Sequence, residues 1–330
     1  MTTDVLAAGL LAAVLVAYVL TGVADYGGGL WDLLATGPTA PRQRRAIADA
    51  IGATWEANHV WLVAAVVITF VCFPLAFAAI GTALHLPLVA LLVGVVLRGT
   101  AFVFRAYDTQ RDVVHHRWSV LFAASSVGSP VMLGIVVGAI ASGSIHLVDG
   151  VPDRGFVWTW LAPFPVVVGG LTLAIAAFLA AVYLTLDTRG DPELQEQFRV
   201  RGLGAAGAVF VLAWAAFFLA RTGAPVVWDG LWSAWWAIPF QLVVGATGLG
   251  CIGALWTRRY SWARDLAAAQ TVLVIGGWAA AQWPYVVPPD LTVAHAAPPA
   301  VTRMLVATFA AGGVPLLAAY AWLLRTFGKA

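Results

Sequence analysis

Three ionisable residues, Asp25, Glu56 and Arg98, lie within or at the ends of long apolar segments of the sequence. A charge is costly to bury in a membrane, and residues of this kind commonly belong to an ion or proton pathway. Two carboxylates at one depth could pass protons between them. Glu56 has a second interpretation, because an anion in the first turn of a helix is stabilised by the helix dipole. The residues themselves leave both interpretations open.

The apolar segments that carry these residues recur along the whole chain. Of the 330 residues, 61% are hydrophobic and only 10% are charged, whereas a soluble domain has about 25% charged residues. Stretches long enough to cross a membrane occupy residues 5–24, 60–80, 84–104, 118–141, 161–186, 203–221, 234–256, 264–286 and 300–324. The sequence therefore predicts an all-α, polytopic membrane protein with about nine transmembrane helices.

We expect one integral membrane domain over residues 1–330. The order of the spans suggests a first helix bundle in 1–141, a second four-helix bundle in 161–286, and one extra helix at 300–324. The first span has no basic segment before it, so we expect it to be retained and not cleaved as a signal peptide. The net charge of +2 gives no indication of a nucleic acid partner.

The distribution of cations predicts how the chain is oriented. Alternate loops and the C-terminal tail carry most of the 18 Lys and Arg residues: Arg42, Arg44, Arg45, Arg105, Arg111, Arg117, Arg189, Arg199, Arg201, Arg258, Arg259, Arg264, Arg325 and Lys329. The intervening loops carry Arg154, Arg221 and Arg303. Because Lys and Arg near span ends stay on the cytoplasmic side, the N-terminus is predicted outside and the C-terminus inside. Asp25 and Glu56 then lie near the same, cytoplasmic, surface.

Polar and aromatic residues surround Glu56 in the segment Trp55–Leu62, which includes Trp55, Asn58, His59 and Trp61. A second group is formed by two cations, Arg98 and Arg105. Their separation of seven residues places both guanidinium groups on roughly one helix face, where they could pair with carboxylates or lipid phosphate. Snorkelling to the membrane interface is the simpler role for Arg105. We predict an interface or structural role for six of these side chains: Trp55, Asn58, His59, Trp61, Arg98 and Arg105.

Metal and haem sites on this chain are not expected. A haem inside the membrane needs a ligand such as histidine from a span, and no predicted span has a histidine in its interior. Cys72 and Cys251 fall inside apolar spans, where we interpret them as small buried hydrophobic residues. No phosphate-binding loop follows the three glycines after Asp25, so the chain shows no nucleotide site.

Five motifs, taken together and in order, resemble one known family across nearly the whole chain. They are Asp25–Gly29, Trp55–Leu62, Phe73-Pro74, Arg98–Arg105 and Trp283–Pro288. In this combination they resemble subunit II of cytochrome bd-type quinol oxidases, in a form typical of a divergent branch. The nine predicted helices agree with that resemblance.

The resemblance implies a respiratory function in the bacterial cytoplasmic membrane. The partner would be a haem-bearing subunit I, which holds haems b and d, oxidises quinol and reduces dioxygen to water. A small single-helix accessory subunit, lipid and quinone are compatible further partners. Subunit II would be haem-free, and the acids at the positions of Asp25 and Glu56 would belong to a cytoplasmic proton-entry route.

Three positions depart from the pattern of the family. Gly29 stands where a second Asp is often found, His59 replaces Gln or Glu, and Glu56 replaces the more usual Asp. Two other functions remain open from the sequence. One is a proton- or cation-coupled small-molecule transporter, and the other is a scaffold that only stabilises a haem-bearing partner.

Overall fold

A computed structural model of the protein describes residues 2–52, 55–107, 113–148, 151–152 and 157–327. Its first half contains α1 (Thr3–Tyr18), a π-helical turn (Val19–Val23), α2 (Ala24–Leu33), α3 (Ala40–Gly52), α4 (Trp55–Cys72), α5 (Pro74–Ala83), α6 (His85–Tyr107), α7 (Val113–Ala141), β1 (Leu147–Val148) and β2 (Val151–Pro152). Its second half contains α8 (Pro163–Asp187), α9 (Pro192–Gly223), α10 (Pro225–Trp232), α11 (Ala237–Trp256), α12 (Tyr260–Gln282), β3 (Tyr285–Val287), β4 (Leu291–Thr292), a 3₁₀ turn (Val293–His295) and α13 (Pro299–Phe327). The predicted all-α membrane class is confirmed.

Eight helical segments of the described chain are long and apolar enough to cross a membrane. The remaining predicted span, 264–286, corresponds to α12, which is long enough at 23 residues but less apolar. Arg264 and Asp265 lie near its N-terminal end. Only three residues separate α12 from α11, and the two helices pack together as a hairpin.

The N-terminal span is longer than the sequence predicts. Helix α1, the π-helical turn and α2 form one continuous helical segment of 31 residues, Thr3–Leu33, so the helix does not end near residue 24. The three glycines after Asp25 are therefore helical. Their missing side chains allow a neighbouring helix to approach closely. A Cβ atom on Gly27 would lie 1.9 Å from the carbonyl oxygen of Ala176 in α8.

The second predicted span is divided by its proline. Helix α4 ends at Cys72, and Pro74 occupies the first turn of α5, where its missing N–H and fixed φ are tolerated. A further helix, α3, lies in a segment that the sequence predicts as a loop. It buries Ile47 and Ile51 against α2 and α8, and it exposes Arg42. Such an amphipathic helix is suited to lie along the membrane surface.

The core is built around α8, which packs against α2, α7 and α9. Apolar residues of α8, from Ala177 to Val182, are buried in one cluster with residues of α2, α3, α9 and α12. That cluster joins helices from both predicted bundles, and the division at 141/161 stays a prediction. Cys72 and Cys251 are buried free thiols, as predicted.

The orientation of the termini also stays a prediction. Three of the cations that support it, Arg111, Arg154 and Lys329, lie outside the described residues. The described side chains do not include that of Arg325.

Candidate functional site

Asp25 is the centre of a hydrogen-bonded cluster that joins three helices. The side-chain amide of Asn58, in α4, donates to Asp25 Oδ2 at 2.6 Å. The hydroxyl of Tyr320, in α13, donates to Asn58 Oδ1 at 2.7 Å. Asn58 is 2% exposed, and Asp25 is partly buried. The amide of Asn58 therefore has both of its ends in use, and its orientation toward the acid is determined by Tyr320.

Arg98, in α6, is buried next to this acid, at 1% exposure. Its Nη2 donates to the backbone carbonyl oxygen of Asp25 at 2.9 Å, and its Nε donates to Ser126 Oγ at 3.3 Å. The guanidinium carbon lies 4.6 Å from the ring centre of Tyr26 and 5.4 Å from that of Phe122. A buried charge requires such hydrogen bonds and aromatic contacts to offset the loss of water. The nearby Asp25 carboxylate carries the opposite charge.

A second contact between an arginine and an acid lies about two helical turns further along α2 and α6. Arg105 Nη1 and Nη2 donate to the two carboxylate oxygens of Asp32 at 2.9 and 3.2 Å. Asp25 and Asp32 are seven residues apart, as are Arg98 and Arg105, so each helix presents its two residues on one face. The matching order of the two layers shows that α2 and α6 run in the same direction. Of the roles left open for Arg105, the structure contains pairing with a carboxylate.

Removing this second acid tests the contribution of the layer to stability. Because Asp32→Asn leaves Arg105 without its carboxylate, we expect the free energy of unfolding to fall by about 2 kcal/mol. The measurement is unfolding of the purified membrane complex by heat or denaturant. Asp265→Asn, at an exposed pair with Arg264, is the control and should cost less than about 1 kcal/mol. Equal losses in the two variants would contradict the assignment.

Glu56 lies in the first turn of α4 but on its exposed side. Two positions along a helix correspond to about 200°, so Glu56 and Asn58 point in opposite directions. Glu56 continues an exposed stripe of α4 formed by Val60, Val63, Val67 and Phe70. No hydrogen bond or ion pair joins it to another side chain in the described part of the protein. Asp25 of α2 thus lies against the face of α4 that carries Asn58, whereas Glu56 is on the opposite face of α4.

The remaining predicted residues pack around the acid. The ring of His59 lies 6.4 Å from that of Tyr18, 6.2 Å from that of Tyr26 and 6.2 Å from that of Trp55, measured between centres. Trp61 meets the ring of Tyr320 edge-on at 6.1 Å.

Trp55 packs against α6. It packs on Phe102 with ring centres 5.9 Å apart, and its ring fills the space beside Gly99. Trp55 thus contacts α6, and His59 contacts α1 and α2. Asn58 and Trp61 both contact Tyr320 of α13.

Several residues of the site were missed by sequence reasoning. They are Tyr18, Tyr26, Asp32, Ser126 and Tyr320. The equal spacing of seven in the acidic and basic pairs is a signal that could have identified Asp32. The tyrosines and the serine have no comparable signal, because such residues are common in membrane helices.

No group of three or more His, Cys, Asp or Glu side chains close enough to hold a metal ion occurs among the described residues. The prediction that this chain binds no haem or metal by itself stays a prediction.

Comparison with known proteins identifies the family. A family model described as "Cytochrome bd terminal oxidase subunit II" matches residues 3–327. The chain is 30% identical over 189 residues to "Cytochrome bd ubiquinol oxidase subunit 2" of Bacillus subtilis, a match covering 54% of this chain and 53% of the relative. It is 23% identical over 324 residues to "Putative cytochrome bd menaquinol oxidase subunit II" of the same organism, covering 94% and 91%. The match to "Cytochrome bd-I ubiquinol oxidase subunit 2" of Escherichia coli is 24% identical and covers 56% and 49%.

The chain thus spans about half the length of two of these relatives. Among solved structures, a chain of "The structure of bd oxidase from Geobacillus thermodenitrificans" superposes with a TM-score of 0.84 at 21% identity. The match covers 99% of both chains and shows that they share a fold. The family model covers almost all of the described helices. The chain belongs to the cytochrome bd terminal oxidase subunit II family.

Proposed function

We propose that the protein is the haem-free subunit of a bd-type quinol oxidase. A haem-bearing subunit I, with haems b and d, would oxidise quinol and reduce dioxygen to water. The present chain would stabilise that subunit and supply part of its cytoplasmic proton-entry route. Membership of the family and the names of the relatives support this assignment. The complex would lie in the bacterial cytoplasmic membrane, with the N-terminus of this chain outside.

The observation that carries the proton-entry role is the cluster of Asp25, Asn58 and Tyr320 beside the buried Arg98. A partly buried carboxylate with a fixed hydrogen-bond donor is held in one place by three helices. The Arg98 charge makes the ionised form of the acid tolerable inside the membrane domain. Asp25 can therefore accept a proton and release it without a large rearrangement of its neighbours.

Glu56 would act on the exposed side of α4, which would face subunit I. Its stripe on α4 is apolar apart from this acid, and α13 buries only Thr302 among its described side chains. A helix that packs only weakly on its own chain, as α13 does, suits a surface that another subunit covers. We therefore place the route along this surface, with Glu56 as the entry group and Asp25 as the next acid. Groups of subunit I or bound water would connect the two around α4.

The test uses the assembled oxidase in sealed vesicles. Asp25→Asn and Glu56→Gln keep the size of each side chain but remove its ability to release a proton. We expect each change to slow quinol-driven oxygen consumption about tenfold and to reduce the proton gradient formed per oxygen consumed. Oxygen uptake is measured with an electrode, and the gradient is measured with a pH-sensitive dye.

The control is Asp290→Asn, an exposed acid whose Oδ2 accepts from the backbone N–H of Leu147. This variant should retain both activities. Normal turnover and coupling in the Asp25 and Glu56 variants would leave the scaffold function as the better account. A chain that purifies alone, without haem absorption, and moves a solute in vesicles would instead support the transporter.

A further inference from the structure

An open cleft with a volume of about 520 Å³ lies where the end of α8 meets the turn between α11 and α12. This end of the helices is predicted to be cytoplasmic, because cations are concentrated there. Every charged residue among those that line the cleft is an arginine. We call it the arginine cleft, and its lining includes Arg189, Arg258, Arg259, Tyr260, Ser261 and Trp262.

The positive charge of the arginine cleft exceeds the negative charge beside it. Glu196, in α9, forms an ion pair with Arg258 Nη2 at 3.4 Å. The same carboxylate also accepts from Nε and Nη2 of Arg199 at 2.9 and 2.5 Å, so one acid is shared between two arginines. Asp187 ends α8 and does not line the cleft. A concave surface of one sign of charge attracts a ligand of the other sign, here an anion.

The backbone at Arg258 is unusual for an arginine. Helix α11 ends with two capping bonds, from the Arg259 N–H to the Ala254 carbonyl oxygen at 2.8 Å and from the Arg258 N–H to that of Leu255 at 3.2 Å. This motif requires a left-handed residue, which is usually glycine, and Arg258 adopts it with a φ of 58°. A side chain in this conformation costs free energy, and such positions are found preferentially at functional sites. The turn by itself does not need the guanidinium group that Arg258 supplies.

The start of α12 adds to the same positive field. Arg259 occupies the position before the helix, where Ser, Thr, Asp or Asn usually accepts a hydrogen bond from the first backbone N–H groups. An arginine side chain has no acceptor, and its side chain makes no capping bond here. The first turn of α12, Tyr260 to Trp262, lines the cleft with the arginines. Guanidinium and backbone N–H groups together suit the oxygens of a phosphate group.

The surface next to the arginine cleft favours a phospholipid over a free phosphate. An exposed apolar stripe on α11 begins two residues before Arg258 and runs away from the cleft along the helix. Its members are separated by four, three and seven residues, so they share one helix face. They are Trp256, Ile252, Leu249 and Leu242. Trp262, which lines the cleft, is also exposed, and tryptophans of this kind lie at the level of lipid headgroups.

We propose that the arginine cleft binds the phosphate group of an anionic phospholipid, with an acyl chain lying along the exposed stripe of α11. The phosphate oxygens accept from Arg189, Arg258 and Arg259 and from backbone N–H groups at the start of α12. Because Arg189 follows α8 and the other two arginines join α11 to α12, the bound lipid links α8 to that hairpin. This inference does not depend on the proton-entry function of Asp25.

The test measures lipid binding to the assembled oxidase, purified in detergent and depleted of lipid. Native mass spectrometry follows the titration with phosphatidylglycerol, and phosphatidylcholine provides a headgroup without net charge. In Arg258→Gly/Arg259→Gln the glycine fits the left-handed turn, so two charges are lost while the backbone is retained. We expect the tightest phosphatidylglycerol site to weaken about twentyfivefold, roughly fivefold for each charge, and phosphatidylcholine binding to stay the same. Arg264→Gln is the matched control, since Arg264 is in α12 but does not line the cleft.

Two outcomes would overturn the proposal. One is equal binding of phosphatidylglycerol by the unaltered oxidase and the double variant. The other is displacement of phosphatidylglycerol by an excess of inorganic phosphate, which would show that the cleft holds a free phosphate and not a lipid. If the double variant does not assemble, Arg189→Gln replaces it, with an expected loss of about fivefold in the same titration.

Discussion

Replacing Arg98 by methionine is expected to lower the free energy of unfolding by about 3–5 kcal/mol, a loss typical of breaking a buried charged contact from one side. The change removes the donors to the Asp25 carbonyl oxygen and to Ser126 Oγ. It also leaves the Asp25 carboxylate without the nearby positive charge. Thermal unfolding of the purified oxidase, together with the yield of assembled complex, measures the loss.

The control for Arg98→Met is Arg264→Met, at a half-exposed arginine of α12. This change should alter stability by no more than about 0.5 kcal/mol. Arg98→Lys should recover only part of the loss, because an ammonium group cannot reproduce the planar contacts with Tyr26 and Phe122. Removing the acid as well, in Arg98→Met/Asp25→Asn, should recover part of it. A double variant as unstable as the sum of the single ones would show that the two charges do not interact.

Replacing Gly27 by alanine is expected to destabilise the protein by about 3 kcal/mol, at the upper end for an overpacked site. The new Cβ would lie 1.9 Å from the carbonyl oxygen of Ala176 and 2.8 Å from the nitrogen of Ala177. Both atoms belong to backbone in the middle of α8, which cannot rotate away as a side chain can. Helices α2 and α8 must therefore separate. The same seam contains the bond from Trp31 Nε1 to the Ala177 carbonyl oxygen, at 2.8 Å, which the separation would stretch.

Gly9→Ala provides a control in the same helical segment. Nothing lies within 4 Å of a Cβ at that position. Alanine there should be neutral or stabilise the helix by about 0.5–1 kcal/mol, since glycine is a poor helix former. Unfolding of both variants in the assembled oxidase gives the comparison. Similar stability of Gly27→Ala and Gly9→Ala would contradict the close packing of α2 on α8.

The class of fold follows from the sequence because long apolar segments have few alternatives in a membrane. A span must satisfy its own backbone hydrogen bonds, and an α-helix does so locally. The break at Pro74 follows from the chemistry of proline in the same way. The length of the first helix does not follow from the sequence, because Gly27, Gly28 and Gly29 are equally typical of a turn. Their role is explained by packing in the folded chain, where Gly27 lies against the backbone of α8, Gly28 against Ile51 and Gly29 against Ser126.

The candidate site was predictable to a similar extent. Its charges could be identified because an ionisable residue is exceptional among apolar ones, and Asp25, Arg98 and Asn58 do lie together. The direction in which each side chain points depends on how helices rotate about their axes. That rotation is determined by packing with the rest of the bundle. For this reason the sequence places Glu56 and Asp25 near the same surface, but it does not reveal that Glu56 lies on the face of α4 opposite Asn58.

The hydroxyl of Tyr320 completes the hydrogen bonding of Asn58, and it belongs to α13, the last of the described helices. A ribosome delivers α13 to the membrane after the helices that carry Asp25, Asn58 and Arg98. Until then, Asn58 Oδ1 has no tyrosine donor and the amide can turn, so Asp25 is not yet held in its final environment. The cluster is therefore completed only after α13 has been synthesised and inserted. In a chain shortened before Tyr320, Asp25 would enter the membrane but would lack the hydrogen bond that fixes Asn58 toward it.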